Sequence, residues 1–216
     1  MNRTELILVG GGGHCRACIE IIEQQGYYRI AGLLDLPDQQ GSEVLGYPVI
    51  GCDDDIPGLI AGGRRHFLIT LGQIKSAGRR QALFESIKAG GGVLPTIVSP
   101  LAHVSRHATV AEGTIVMHGA LVNAGARIGR NCIVNSRALV EHDAQVGDHC
   151  HISTACVLNG GVRVGEGSFV GSNAVTLQEV EIGRHSVVGA GALVRQSLPP
   201  NSLFVGQGRD PKQKKG

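Results

Sequence analysis

Between Leu139 and Val164 the chain reads LVEHDAQVGDHCHISTACVLNGGVRV, and an aliphatic residue returns at every sixth position of that stretch. The same phase extends in both directions, from Val104 to Val194, and Thr176 is the one member of the row that is not aliphatic. A second row, two residues before the first, consists mostly of Ala, Ser, Thr and Cys. Glycines follow the aliphatic residue at steps of eighteen, namely Gly129, Gly147, Gly165 and Gly183.

A six-residue period predicts a parallel β-helix. A helix with 3.6 residues per turn would spread the aliphatic row around its whole surface. Residues two apart in a strand point to the same side, so the small row and the aliphatic row share one face. Three short strands per coil explain the glycine period, and stacked coils pair as parallel strands about 4.8 Å apart. We therefore expect a hexapeptide β-helix of about five coils.

The N-terminal part of the chain follows a different pattern. Apolar strands are predicted at Glu5–Val9, Tyr28–Leu34, Tyr47–Ile50 and His66–Leu71, and helices at Cys15–Gln25, Asp54–Ala61 and Arg79–Ala89. Strands that alternate with helices favour a small parallel α/β domain. We therefore divide the chain into an α/β domain at residues 1–98, a β-helix at residues 99–206 and a polar tail at residues 207–216.

The composition argues against a nucleic-acid partner. The formal net charge is +2, and aromatic residues make up 3% of the chain. A broad basic surface and aromatic stacking side chains, which nucleic-acid binding uses, are therefore not expected. The first apolar run, Leu6–Val9, is too short for a signal peptide or a membrane span. We expect a cytoplasmic protein without membrane insertion.

A glycine-rich loop, residues 10–14, follows the first predicted strand. Backbone without Cβ atoms lets N–H groups approach a pyrophosphate at a helix N-terminus. The dinucleotide fingerprint is incomplete, because Cys15 stands at its third glycine position, and this disfavours an NAD dehydrogenase. Asp35 ends the second strand, where a carboxylate is placed to bind ribose or sugar hydroxyls. The loop favours a nucleotide-sugar pocket, and a tight turn without a ligand is the alternative.

Cysteines occupy two kinds of position. Cys132, Cys150 and Cys156 lie in the small-residue row, where they fill space. Cys15 and Cys18 form a C-x-x-C pair at a predicted helix start, where a thiolate is favoured. A zinc site needs two further ligands, and no second C-x-x-C is present. Packing is the favoured interpretation of the pair, with a redox or zinc role as the alternative.

His142 differs in placement from the other histidines. It lies two residues beyond Val140, at a corner between predicted strands, so its ring is expected to project outward. Asp143 beside it is placed to hold one imidazole tautomer and to stabilise the imidazolium, which suits a general base near neutral pH. A solvated turn histidine is the alternative interpretation. Other polar residues of this region are Asn135, Glu141, His149 and His151.

These features resemble a known family. The Gly-Gly-Gly-His loop within Met1–Ile22, and the segment Val140–Asp143 in a continuous hexapeptide region, are similar to those of the sugar O-/N-acyltransferases of the sialic acid and bacillosamine pathways. The resemblance covers essentially the whole chain. It implies a Rossmann-like domain for the nucleotide sugar and a left-handed β-helix that forms homotrimers. Acetyl-CoA would lie in the cleft between neighbouring β-helices, and no metal is expected.

The resemblance also implies roles for individual residues. His142 is the expected catalytic base, and Asp143 is its orienting acid. His151 matches the histidine at the cofactor and amine site, and Asn135 lies beside it on the substrate side. The backbone expected to line the pantetheine arm of acetyl-CoA maps to Gly160, Ser172 and Ala190. The sugar-nucleotide contacts map to Gly12, Gly13, His14, Asp35 and Gly72.

The chain departs from the family pattern at its C-terminal end. Family members commonly have a Gly-x-Pro-Ala segment there, whereas this chain has residues 206–210, Gly-Gln-Gly-Arg-Asp. The contacts at the adenine end of CoA are therefore not assigned. The expected reaction is direct N-acetylation of a UDP-4-amino-sugar type of acceptor. In it His142 removes the amine proton, the Gly160 N–H stabilises the oxyanion, and CoA leaves as the thiol.

Three other functions remain open from the sequence. Within the same enzyme class, the acceptor is a sialic-acid-type hydroxyl or the amine of a GDP- or dTDP-linked perosamine. A carbonic-anhydrase-like β-helix with zinc between subunits would use three convergent histidines, for which His142, His149 and His151 are the candidates. A non-catalytic scaffold would use the coils only for oligomerisation.

Overall fold

The computed structural model describes residues 3–205, so the predicted polar tail and the 206–210 segment lie outside the described residues. The N-terminal helices and strands are β1 (Thr4–Val9), α1 (Gly13–Gln25), β2 (Tyr28–Leu34), β3 (Glu43–Val44), β4 (Tyr47–Gly51), α2 (Ile56–Ala61), β5 (Phe67–Ile69) and α3 (Gly78–Ala89). One-turn 3-10 helices lie at Pro37–Gln39 and Asp53–Asp55. All the predicted strands and helices are present, and β3 is an addition that the sequence did not predict.

The N-terminal sheet has the strand order β3-β4-β2-β1-β5. All its pairs are parallel except β3 with β4, which form a short hairpin at the edge. β1 is buried over its last four residues because both of its faces are covered. Helix α1 ends at Gly26, whose positive φ of 70° lets its N–H return to the Ile22 carbonyl.

The rest of the described chain is a parallel β-helix of two-residue strands. They are β6 (Ile97–Val98), β7 (His103–Val104), β8 (Thr109–Val110), β9 (Ile115–Val116), β10 (Leu121–Val122), β11 (Arg127–Ile128), β12 (Ile133–Val134), β13 (Leu139–Val140), β14 (Gln145–Val146), β15 (His151–Ile152), β16 (Val157–Leu158), β17 (Arg163–Val164), β18 (Phe169–Val170), β19 (Val175–Thr176), β20 (Glu181–Ile182), β21 (Val187–Val188), β22 (Leu193–Val194) and β23 (Leu203–Phe204). They form three sheets, so each coil has three sides, and β6 already pairs with β9 just before the predicted domain boundary.

The three faces of the β-helix differ in their outward side chains. The sheet from β7 to β22, the apolar face, carries mainly Leu and Val outward: Leu121, Leu139, Val157, Val175 and Leu193. The sheet from β8 to β20, the polar face, carries Thr109, Arg127, Gln145, Arg163 and Glu181, all exposed. The sheet from β6 to β23, the domain-facing face, buries Ile97, Ile115 and Ile133 against the N-terminal domain.

The interior of the β-helix is the predicted pair of rows. The aliphatic row is almost fully buried from Val116 to Val194, and the small row packs beside it. At one corner the small row also makes a series of hydrogen bonds, in which each hydroxyl or thiol donates to a carbonyl of the same corner in the next coil. Its members are Thr114, Cys132, Cys150, Ser168 and Ser186. Cysteine at these positions therefore fills space and satisfies a buried carbonyl.

The C-x-x-C pair belongs to the N-terminal core. Cys15 and Cys18 are both fully buried. Burial raises the pKa of Cys15 to about 11 and that of Cys18 still further, so both are protonated thiols. The expectation that the helix start favours a thiolate is wrong here, because desolvation outweighs the helix dipole. Within residues 3–205, no helix has the length and apolar character needed to cross a bilayer.

Arg80 joins the two parts of the chain. Its guanidinium is buried and donates to the carbonyls of Ile69 and Leu71 at 3.0 and 2.7 Å. It also donates to the carbonyl and the Oδ1 of Asn131, at 3.0 and 2.8 Å, across the domain contact. These four bonds fix the end of β5 against a corner of the β-helix.

Replacing Arg80 with Met should lower the free energy of unfolding by at least about 3 kcal/mol, because four acceptors lose a charged donor in a buried place. Urea unfolding followed by circular dichroism measures this change. Arg79→Met is the matched control, since the Arg79 side chain is exposed and pairs with the partly exposed Asp53, at 3.2 Å; it should cost less than about 1 kcal/mol. Equal effects of the two variants would contradict this account of Arg80.

Candidate active site

The predicted site residues of the β-helix fall at two corners. The first corner joins the domain-facing face to the apolar face and consists of the turns at residues 99–102, 117–120, 135–138, 153–156, 171–174 and 189–192. It contains Asn135, Ser172 and Ala190. The second corner joins the apolar face to the polar face and consists of the turns at residues 105–108, 123–126, 141–144, 159–162 and 177–180. It contains His142, Asp143 and Gly160, so the apolar face lies between the two sets.

His142 projects from the second corner, as predicted. Its Nδ1 lies 3.0 Å from Asp143 Oδ2, and both side chains are more than half exposed. The hydrogen bond to Asp143 raises the pKa of His142 above its ordinary value. Since the carboxylate accepts a proton from Nδ1, the neutral ring has its lone pair on Nε2. Nε2 is therefore the atom able to take a proton from a substrate.

Gly160 lies directly against the ring of His142. A Cβ atom on Gly160 would be 2.6 Å from His142 Nε2, so any other residue would displace the imidazole. The carbonyl of His142 accepts a hydrogen bond from the Gly161 N–H at 3.0 Å. The backbone N–H of His142 donates to Glu141 Oε2 at 3.2 Å, and this carboxylate also accepts from Asn123 at 2.8 Å. Stacked coils thus hold both ends of the His142 peptide.

His151 has a different environment on the domain-facing face. Its Nδ1 lies 2.7 Å from the Gln73 carbonyl, which only accepts, so Nδ1 carries the proton. Its Nε2 then accepts from Asn135 Nδ2 at 3.1 Å, and Asn135 Oδ1 accepts from the Ser136 N–H at 2.7 Å. Burial lowers the pKa of His151 to about 4. His151 is a neutral ring with both nitrogens engaged, and in this arrangement it is not a base.

The glycine loop presents an uncapped helix N-terminus. Gly12 is the residue before α1, no side chain caps the helix, and no acidic residue lies in its first turn. A Cβ atom added to Gly12 or Gly13 would point into open space. The first N–H groups of α1 are therefore accessible to an anion.

Asp35 supports this loop, which sequence reasoning did not foresee. Its Oδ2 accepts from the Gly11 N–H at 3.1 Å and its Oδ1 from the Leu36 N–H at 2.9 Å. A Cβ atom on Gly11 would lie 2.5 Å from that carboxylate, so the loop requires glycine there. Asp35 therefore has a structural role in the loop in addition to the one predicted.

His14 connects the glycine loop to the β-helix. Its ring centre is 6.5 Å from that of His151, and its Cβ is 4.0 Å from the position of a Cβ on Gly72. Its Nε2 lies 3.5 Å from Cys18 Sγ. Burial, with the charge of Arg80 as a second cause, lowers the pKa of His14 to about 3. His14, Gly72, His151 and Asn135 thus lie close together where the N-terminal domain meets the β-helix.

The first corner continues as a groove towards the C-terminal end. Ser172 Oγ lies 2.9 Å from Ser153 Oγ in the preceding coil. Further along, a cavity of about 720 Å³ is lined by Ala190, Leu193 and Phe204 among others. The predicted cofactor residues Ser172 and Ala190 therefore share one edge of the β-helix with Asn135.

Comparison with known proteins agrees with both parts of the chain. Residues 5–87 match the model of the PglD N-terminal domain, and residues 161–196 match the bacterial transferase hexapeptide (six repeats) model. The structure of PerB from Caulobacter crescentus in complex with CoA and GDP-perosamine is 35% identical, with a TM-score of 0.84 and coverage of 91% of each chain. Comparison with curated proteins gave no match.

Two further solved structures are similar. The acetyltransferase domain of PglB from Neisseria gonorrhoeae, in complex with acetyl coenzyme A, is 30% identical, with a TM-score of 0.83 and coverage of 92% of this chain and 94% of that one. WeeI from Acinetobacter baumannii AYE is 19% identical with a TM-score of 0.76, covers 91% and 94% of the two chains, and shows the shared fold.

The chain belongs to the hexapeptide-repeat family of sugar N-acetyltransferases. It is an acyltransferase with a Rossmann-like N-terminal domain and a left-handed β-helix, and both the predicted family and the predicted fold class are confirmed. Within one chain the three candidate zinc ligands are separated: His142 lies at the second corner, His149 at a third corner and His151 on the domain-facing face. Among residues 3–205, no group of His, Cys, Asp or Glu side chains is arranged to hold a metal ion.

Sequence reasoning missed three residues of this acyltransferase site. Gln73 holds His151 through its carbonyl, and its side chain donates to the His149 carbonyl at 3.1 Å. Phe169 packs edge-on against His151 with ring centres 5.2 Å apart. Arg80 anchors the loop that contains Gln73. Phe169 had a usable signal, because it stands eighteen residues after His151 and therefore one coil above it.

Three histidines of the candidate site, His142, His151 and His14, should titrate differently. His142 is expected to have a pKa above 6.5, and His151 and His14 should remain neutral down to about pH 4 and about pH 3. Asp143→Asn removes the carboxylate that stabilises the imidazolium, so it should lower the pKa of His142 and leave that of His151 unchanged. Nuclear magnetic resonance titration of the ring signals measures all three. A His151 that protonates near pH 6.5 would contradict the buried, engaged ring described above.

Proposed function

We propose that the protein transfers the acetyl group of acetyl-CoA to the amine of a nucleotide-linked amino sugar, with His142 as general base. The observation that carries the proposal is the exposed Nε2 of His142, held by Asp143 and placed against Gly160. The relatives support the choice of cosubstrate, because PerB is seen with CoA and GDP-perosamine and the PglB domain with acetyl coenzyme A.

The sugar nucleotide would bind in the cleft between the two domains. The uncapped N-terminus of α1 at Gly12 and Gly13 suits a pyrophosphate. The sugar would then extend towards His14, His151 and Asn135. Acetyl-CoA would lie along the groove at the first corner, past Ser172 and Ala190.

The reaction would be a direct transfer. The amine nitrogen attacks the thioester carbonyl while His142 Nε2 takes the proton that the nitrogen loses. The Gly160 N–H donates to the oxyanion. The C–S bond then breaks, and the imidazolium, stabilised by Asp143, returns the proton to the CoA sulfur. Cys15 and Cys18 are buried, protonated thiols and do not suit an acyl-enzyme, so we expect a ternary complex.

We also propose that the active enzyme is a homotrimer. The apolar face presents a continuous strip of Leu and Val, which on a monomer would be exposed to water. Three β-helices that turn this face to a common axis close into a ring. The first corner of each subunit then meets the second corner of its neighbour. His142 of one subunit would thereby reach the groove and cleft of the next.

The acceptor is the finer part of the proposal. A GDP-linked perosamine is the first substrate to test, because the PerB structure contains it. UDP- and dTDP-linked 4-amino sugars and a sialic-acid-type sugar follow in the same panel. Release of free CoA thiol from acetyl-CoA measures each reaction. Thiol release with none of these acceptors would favour a non-catalytic scaffold.

His142→Ala should lower kcat by about 10²–10⁴-fold, because the proton of the amine loses its acceptor. Steady-state kinetics with the best acceptor of the panel measures the loss. His185→Ala is the matched control, since His185 is another corner histidine of the β-helix and lies at the third corner, which holds neither predicted set of site residues, so it should retain kcat within about twofold. A His142→Ala enzyme with near-normal kcat would overturn the assignment of the base.

Leu139→Glu and Val157→Glu place charges on the apolar face and should shift the protein from trimer to monomer with loss of activity. Sedimentation velocity measures the mass, and circular dichroism checks that the β-helix remains. Gln145→Glu on the polar face is the control and should stay trimeric and active. A fully active monomer would show that one chain contains the whole site.

A further inference from the structure

Each pair of neighbouring strands in the β-helix forms one rung of backbone pairing. Within residues 3–205, one rung differs from every other rung. Each pair of neighbouring β-helix strands has two residue pairs in register, except β16 with β19, which share only Val157 and Val175. In a regular rung, the residue after the aliphatic position donates its N–H to a carbonyl of the next coil, as Glu141 does to Leu158 at 2.9 Å. At the irregular rung, Asn159 donates instead to Thr176 Oγ1, at 3.1 Å.

Thr176 is the cause of this irregularity. It is the single polar residue of the aliphatic row, and its side chain is fully buried. A buried hydroxyl requires a hydrogen-bond partner, and this one accepts the Asn159 N–H. The Thr176 carbonyl, which loses that N–H, accepts from Asn159 Nδ2 at 2.6 Å. One hydroxyl therefore redirects both the backbone and the side chain of Asn159.

The redirected side chain changes the next peptide, that of Gly160. In three other turns the residue equivalent to Asn159 caps the N–H that follows it: Asn123 caps Ala124, Asn135 caps Ser136, and Glu141 caps His142, at 3.2, 2.7 and 3.2 Å. Asn159 has the same chemistry as two of them, but its amide is held by Thr176. In the described part of the chain, the Gly160 N–H has no acceptor.

The orientation of this peptide also suits an external acceptor. The Asn159 carbonyl accepts from the Val162 N–H at 3.3 Å, inside the turn. Since a trans peptide places its N–H opposite its carbonyl, the Gly160 N–H is directed away from that turn. Gly160 is also the residue against which the Nε2 of His142 lies. A free donor and a proton acceptor therefore lie next to each other.

We infer that Thr176 is a positioning residue for acyl transfer: by holding the backbone and amide of Asn159, it keeps the Gly160 N–H available to the thioester carbonyl oxygen. The inference rests on the proposed function, in which this N–H stabilises the oxyanion. It adds a residue that is buried inside the β-helix and that touches neither substrate.

Thr176→Val tests the inference with almost no change of shape. Val completes the aliphatic row, so Asn159 should return to the regular rung and its freed Oδ1 should cap Gly160. We expect kcat to fall about 10–100-fold, since an oxyanion donor is lost in part. KM for both substrates should change less than about threefold, and the melting temperature should not fall. Thr176→Ser, which keeps the hydroxyl, should retain most of kcat.

A second variant separates capping from packing. Asn159→Ala combined with Thr176→Val removes the amide that would cap Gly160, so it should recover most of the kcat lost in the single variant. A purely structural role of Thr176 predicts no recovery. Unchanged kcat in Thr176→Val, or no recovery in the double variant, would overturn the inference.

A crystal structure of Thr176→Val tests the structural part of the inference without turnover. We expect Asn159 Oδ1 at about 3 Å from the Gly160 nitrogen. An Asn159 amide that stays on the carbonyl of residue 176 would overturn the inference even in an active enzyme. Wild-type protein that acetylates no sugar of the panel would contradict the proposed function. The position of the Asn159 amide in the Thr176→Val structure is measured independently of that result.

Discussion

The structure of the β-helix depends on its register, in which each residue lies beside the residue eighteen positions later in the chain, one coil further along. The inward aliphatic row maintains this register, because a shift of one residue would expose the row and bury its polar neighbours. Backbone hydrogen bonds between coils then follow in sequence along all three faces. The register also decides which side chains meet. It brings His142 onto Gly160, Asp148 to Arg130 at 2.7 Å, and Phe169 against His151.

At the corners, the conformation of the turn decides how neighbouring polar side chains are oriented. Each four-residue turn of the β-helix from residues 111–114 to residues 189–192 has one residue with positive φ, and in the turn at residues 141–144 it is Asp143, with φ of 61°. This backbone conformation costs little for Asp compared with β-branched residues. It turns the carboxylate back towards the ring of His142, the residue before it. The His142–Asp143 pair is therefore made by adjacent residues, and the fold needs no distant segment to orient the proposed base.

The period was enough to predict the β-helix, its two inner rows and the outward position of His142, because each follows from local spacing. Spacing was not enough for the contacts made across the domain boundary. The Gln73 carbonyl and His151 are separated by 78 positions in the chain, and no repeat relates them. Arg80 lay in a predicted amphipathic helix, where an arginine is usually solvated, yet it is fully buried. Asp35 was correctly placed at a strand end, but the N–H groups it binds depend on how the glycine loop folds.

The histidines show how one side chain serves opposite purposes on the same scaffold. At the second corner, a neighbouring carboxylate and water favour the charged form of His142, so it can accept a proton and return it. In the cleft, burial favours the neutral forms of His14 and His151, and the buried cation of Arg80 acts in the same direction. A neutral, fixed ring does not exchange protons near neutral pH. In the proposed reaction, the proton that is transferred therefore comes from the substrate amine. Because the apolar face separates these two environments within one chain, the proposed base and the proposed binding residues would come together most directly if subunits shared that face.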